Sequence, residues 1–222
     1  MDQEPSDKSS DDDRPDVEPR WFTPEENPFG ILLLDVRPFT RTMVSYTKDP
    51  AIAESFHVQR DNVGSDLAAK AIPDAATRAC SLSFGMPTPR ENGPLFKAEC
   101  MEDKWDIYQH DGKMIFARSW TGDVIMRASL DRESDTLVIT DIESRGDYFQ
   151  EAPQHVLFLV MSHLDGLDFP HMLSQQVPDD PADMALASFS MFGRRAAYAT
   201  HDNILNMTIN PNFGSPDAEA SP

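Results

Sequence analysis

The sequence predicts an antiparallel α+β fold, a β-meander of about four to six strands packed by two or three helices. Three observations point there. Residues 105–143 alternate apolar and polar side chains in four runs separated by turn residues. Two Asp-Pro pairs, Asp49-Pro50 and Asp180-Pro181, precede stretches with helical spacing. The strands cluster in one block instead of alternating with helices, which argues against a parallel βαβ sheet.

The elements follow in order. Gly30 to Val36 encloses a short apolar run between Pro28-Phe29 and Arg37-Pro38 and reads as a buried strand. Asp49-Pro50 starts a helix near 50–60 with Ile52, Ala53 and Phe56 on its apolar face. Between Asn62 and Gly93 the signals are weaker. A helical turn at 66–71 and a short strand at 80–84 are expected, and Pro73, Pro87, Pro89 and Pro94 imply irregular chain.

Trp105 to His110, Lys113 to Ser119, Asp123 to Leu130 and Thr136 to Glu143 then read as strands. Asp111-Gly112 is a strong hairpin signal because both residues tolerate positive φ. It pairs Ile107 with Phe116 and Trp105 with Arg118. At the next turn, a two-residue loop would place Arg127 opposite Phe116. A three-residue loop with Gly122 in a left-handed bulge instead pairs Phe116 with Met126 and Met114 with Ala128. That register gathers Trp105, Ile107, Met114, Phe116, Val124, Met126 and Ala128 on one face, and period-two burial selects it.

Val156 to Met161 is apolar all round and reads as a buried helix from about 154 to 165, ended by Gly166. Met184, Leu186, Ala187 and Phe189 give a second helix after Asp180-Pro181, ended by Gly193, and Ala196 to Thr200 returns as a strand. The domain expected from this pattern spans residues 21–210. Residues 1–20 carry eight acidic groups against Lys8, Arg14 and Arg20 and read as a disordered acidic tail. Residues 211–222 read as a flexible C-terminal tail.

Composition narrows the function. With 19 basic and 38 acidic side chains the net charge is −19, which disfavours nucleic acid and anionic membrane as partners. A basic protein partner suits that charge. No apolar run approaches the ~20 residues of a membrane span, and the acidic N-terminus lacks the pattern of a targeting signal, so a cytoplasmic protein is expected. Two cysteines, Cys80 and Cys100, are then reduced thiols, too few for a disulfide scaffold or a four-thiolate zinc site. There is no glycine-rich phosphate loop, and neither Gly64-Ser65 nor Gly214-Ser215 has the flanking residues of a nucleophile elbow. No cofactor is expected.

Two clusters remain. His163, Asp165, Asp168 and His171, with His155 two helical turns earlier, hold imidazoles and carboxylates that suit a divalent metal. Buried histidines satisfied by hydrogen bonds are the simpler reading. Arg118 and Trp120, with Trp105 on the facing strand, place a guanidinium beside indoles at a hairpin tip. Such a tip can take an anion or a planar ligand, or simply cap the core. Arg37, Arg41 and Arg60 lie near Asp35 and Asp49 and read as surface pairs. Arg194-Arg195 suits a helix C-terminus.

The string Trp105-Asp106-Ile107-Tyr108, Asp111-Gly112, Ile115-Phe116, Arg118-Ser119-Trp120-Thr121-Gly122 resembles a hairpin signature of uncharacterised bacterial proteins. The resemblance covers a small part of the chain. It implies a bacterial cytoplasmic protein and brings no activity with it. The expected function is therefore a non-catalytic binding or interaction module. The alternative is a hydrolase, with or without a metal, built on the His163–His171 region.

Overall fold

Asp49 and Asp180 act as the sequence requires: each accepts a backbone N–H from the first turn that follows, Asp49 from Ala51 and Asp180 from Ala182, both at 2.9 Å. A computed structural model describes residues 19–85, 91–133 and 136–210. The expected tails at 1–20 and 211–222 lie almost wholly outside these residues.

In chain order the elements begin β1 (Trp21–Phe22), β2 (Leu33–Asp35), α1 (Arg37–Thr40), α2 (Pro50–Asp61) and β3 (Ala76–Gly85). The meander follows: β4 (Gly93–Phe96), β5 (Trp105–His110), β6 (Lys113–Arg118), β7 (Val124–Glu133) and β8 (Thr136–Ser144). Last come α3 (Ala152–Leu159), β9 (Pro170–Met172), α4 (Pro181–Phe192) and β10 (Tyr198–Thr200).

Six strands form one antiparallel sheet in the order β3-β8-β7-β6-β5-β4, and four short strands form a second in the order β1-β2-β10-β9. The fold class is α+β, but the described chain holds ten strands and four helices, more of each than the sequence suggested. The unforeseen strands β1, β4 and β9 run only two to four residues, too short for a period to register. Pro94 fits β4 because that strand lies on the sheet edge. The pair β9–β10 is parallel, the only such pair among the described strands.

One face of the large sheet carries Trp105, Ile107, Met114, Phe116, Met126, Ala128, Ile139 and Ile142. They join Val156, Phe158 and Leu159 of α3, Met184 and Phe192 of α4, and Leu33 and Leu34 of β2 in one continuous core. The opposite face is also covered. Tyr108, Ile115, Ala117 and Val124 pack under Leu67 and Ile72 from the irregular stretch after α2. That stretch makes single turns at 65–69 in place of the expected helix.

The two hairpins test the turn arithmetic. Asp111 and Gly112 sit at φ 51° and 71°, and Ile107 faces Phe116 while Trp105 faces Arg118. In the second hairpin Phe116 pairs with Met126 and Met114 with Ala128, and Gly122 has φ 66°. The bulge, however, is not at Gly122. Arg118 donates its N–H to Asp123 O, so the loop has four residues, and the extra residue enters lower down between the pairs Phe116–Met126 and Ala117–Val124. That residue is Ile125. Val124 is thereby turned to the face opposite the one expected, beside Ile115 and Ala117, while Ile125 joins the main core.

Four further details differ from expectation. The strand expected at 30–36, β2, is three residues long, and the strand expected at 80–84, β3, runs ten residues. The buried helix narrows to Ala152–Leu159 and continues over Val160–Leu164 with a wider turn, in which Asp165 N bonds Val160 O. Gly166, at φ 70°, ends it as expected. Arg60 is not a surface partner of Asp49. It reaches into the sheet and grips Asp106, which is 1% exposed.

Gly193 does more than end α4. At φ 69° and ψ −151° it occupies a region closed to other residues, and a Cβ there would overlap the Glu102 carbonyl oxygen. Gly193→Ala is therefore expected to cost about 3 kcal/mol. At Gly122 a Cβ would lie 2.6 Å from the flexible Gln59 side chain, which can move aside. Gly122→Val is expected to cost about 1–2 kcal/mol and Gly122→Asn less. Urea denaturation midpoints check both, and equal effects of Val and Asn at 122 would contradict the left-handed turn.

Candidate functional site

The hairpin tip closes against the C-terminal end of α4. Trp105 is fully buried, and its Nε1 donates to Met191 O at 2.7 Å. Arg118, paired across the ladder, lays its guanidinium 4.9 Å from the Trp105 ring centroid. It donates from Nη1 to Met191 O at 2.9 Å and from Nη2 to Ser190 O at 3.1 Å. A cation thus satisfies carbonyls left open at the end of a helix. Arg118 caps the end of α4.

Above this floor lies a cleft of about 620 Å³. Trp120 lines it and donates Nε1 to Met101 O at 2.8 Å. Lys104 places its ammonium 4.4 Å from the Trp120 centroid and 4.8 Å from that of Phe189. The same nitrogen donates to Ser45 Oγ at 2.6 Å and Met101 O at 3.0 Å. Burial first, and Arg118 second, push the Lys104 pKa down to about 8. Arg145 forms a two-point pair with Asp147, both bonds 2.7 Å, and covers the Tyr148 ring. Tyr148 meets Trp105 edge-on. Three cations and one carboxylate, Asp123, line the cleft.

Arg118 and Trp120 therefore meet in one site, with Trp105 beneath them as its floor and not as a contact surface. Lys104, Arg145, Tyr148 and Phe189 were not singled out from sequence. Lys104 adjoins Trp105 and Arg145 directly follows β8, but only the packing of α4 and the 42–48 segment makes them neighbours.

The His163–His171 group comes apart. Asp165 and Asp168 are exposed, and Asp168 is held by Arg37 and Arg41. His163 and His171 are buried on separate elements, each bonded to a serine. Among the described residues no group of three or more His, Cys, Asp or Glu side chains is placed to hold a metal ion. Each serine hydroxyl gives its proton to a helix carbonyl four residues back, Ser162 to Phe158 O and Ser188 to Met184 O, both at 2.6 Å. Each imidazole closes a histidine–serine–carbonyl chain, through Nδ1 in His163 and Nε2 in His171, and the His171 ring also meets the Tyr198 backbone. Both rings are neutral, and burial pushes each pKa down to about 3. His155, stacked edge-on between Tyr148 and Phe192, is pushed down to about 4 by burial and by Arg118. Cys80 and Cys100 are free, and burial raises both thiol pKa values.

No helix among the described residues is long and apolar enough to cross a membrane. No family model, curated protein or solved structure matches the chain. Its function must be argued from the chemistry of its own site.

The three buried histidines generate an acid limit. Their folded pKa values, about 3 to 4, lie below the ordinary 6.5, so the unfolded chain binds more protons between these limits. Stability should hold above pH ~6.5 and fall toward pH 4 by about 1.4 kcal/mol per pH unit for each histidine. Urea titrations at pH 7.5, 6 and 5 measure the slope, and His171→Asn should reduce it. In the same assay zinc or a chelator is expected to leave the neutral-pH midpoint unchanged. A zinc-dependent rise abolished together at His163, Asp165, Asp168 and His171 would restore the metal reading.

Proposed function

We propose that the protein is a non-catalytic binding module. Its site is the cleft between the β6–β7 tip and α4, and its ligand joins a negative group to an apolar or planar body. One observation carries this reading: Lys104, Arg118 and Arg145 converge with Trp120, Tyr148 and Phe189 on one cleft, in a chain whose net charge is −19. Cations gathered so closely repel one another, and among the described residues only Arg145 of the three has a carboxylate partner, Asp147.

Each cation keeps donor capacity after its structural bonds are counted. Lys104 spends two of three protons, Arg118 leaves Nε outside its helix contacts, and Arg145 leaves Nη1 outside its pair with Asp147. The rings offer flat apolar surface beside those donors. The lining side chains supply charge and stacking, which suits recognition.

Benzoate is the simplest probe, and benzamide is its neutral control. In a ¹H–¹⁵N spectrum benzoate should shift the Trp120 indole signal with a Kd on the order of millimolar, and benzamide should not. Arg145→Ala should weaken binding about five- to tenfold. Affinity should also fall as pH rises through about 8, because the Lys104 ammonium is lost there. Glu102, Cys100 and Asp103 favour its charged form, while Arg118 opposes it, and both arginines stay charged throughout. An unmoved Trp120 signal at saturating benzoate would overturn the proposal.

A further inference from the structure

We infer that the ligand of this cleft is a short acidic segment of a partner protein, bearing a large apolar side chain and seated in extended form across the cleft and the neighbouring 43–47 strap. The inference rests on the binding-module reading and goes further by naming the ligand class.

The strap links α1 to α2 and forms one wall. Met43 and Ser45 line the cleft, whereas Val44 and Tyr46 are 78% and 75% exposed. Leu186, on the α4 wall, is 54% exposed. Val44 and Tyr46 on the strap, and Leu186 on the α4 wall, are therefore three of the large apolar side chains open to water among the described residues. A benzoate-sized ligand would leave Val44 and Tyr46 wet. A chain that runs over the strap as well as the mouth would cover them.

The strap backbone adds a second observation. Ser45 N donates to Glu102 Oε1 at 2.7 Å, but the N–H groups of Val44 and Tyr46 make no hydrogen bond among the described residues. The carbonyls of residues 43–46 likewise accept none there. An extended peptide supplies the missing main-chain partners and sends alternate side chains toward the cleft.

Charge complementarity fixes the rest. Lys104, Arg118 and Arg145 call for carboxylates, while the −19 chain repels any long polyanion, so two or three acidic residues in a short segment fit best. The apolar residue between them meets Trp120 and Phe189.

The test uses the full chain and a fluorescein-labelled peptide alternating Glu and Asp with Trp and Leu, read by fluorescence polarisation. A peptide with Lys in place of the acidic residues is the control. The acidic peptide should bind at least about tenfold more tightly than benzoate, and the basic one should not bind. A double variant, Val44→Ser with Tyr46→Ser, changes only exposed side chains. It should weaken the peptide about tenfold and leave benzoate unaffected. If benzoate shifts Trp120 but the peptide gains nothing over it, or ignores the strap variant, the peptide inference falls and the cleft reading stands. If neither binds, both fall, and preference for the basic peptide would overturn the inference outright.

Discussion

Two buried carboxylates at the start of β5, Asp103 just before it and Asp106 within it, hold the molecule in its arrangement. Asp103 is fully buried and accepts from Arg194 Nε and Nη2 at 2.8 and 2.9 Å. Burial alone would raise its pKa, but Arg194 and the Glu99 N–H hold it below the ordinary value. Three residues on, Asp106 accepts from Arg60 Nη2 at 2.9 Å, from Ala98 N at 2.8 Å and from Lys97 at 3.3 Å. One arginine follows α4 and the other ends α2, so a single stretch of chain fixes where both helices stop. Removing either partner would leave a buried charge without compensation, a loss of roughly 3–5 kcal/mol in comparable pairs.

The cleft inherits its geometry from that anchoring. Once residues 97–106 are fixed, the β5–β6 register sets Arg118 opposite Trp105, and both side chains reach the Met191 carbonyl. The end of α4 is satisfied by the strand that forms the floor of the site. The close approach of Gly193 to Glu102 brings Phe189 within reach of Lys104, whose ammonium then lies against two rings. Core packing and the proposed ligand recognition share side chains here, so Trp105 and Arg118 cannot be altered for one purpose alone.

The histidines show how residue types suited to metal binding can be spent on structure. A metal needs lone pairs aimed at one point. Here the serine protons are taken by helix carbonyls, each histidine ring is bonded to a serine, and Asp168 faces Arg37 and Arg41 at the surface. Phe158 and Phe192 pack edge-on against His171, completing an apolar surround that disfavours charge.

The sequence by itself determined what depends on near neighbours. The Asp-Pro helix starts, the Asp111-Gly112 turn, the positive φ of Gly122 and Gly166, and the Phe116–Met126 register all follow from local sterics and a two-residue burial period. Trp120 and Arg118 were legible as a candidate site because turn chemistry places them at one tip. Tertiary structure decided what depends on distant partners. The bulge moved to Ile125 because the sheet is buried on both faces and Val124 is needed under Leu67 and Ile72. Short strands formed where neighbours supplied a ladder, and Arg60 left the surface because Asp106 lay within reach. Lys104 and Arg145 joined the site only when α4 and the strap closed around it, since charge and stacking act through space and leave no period in the sequence.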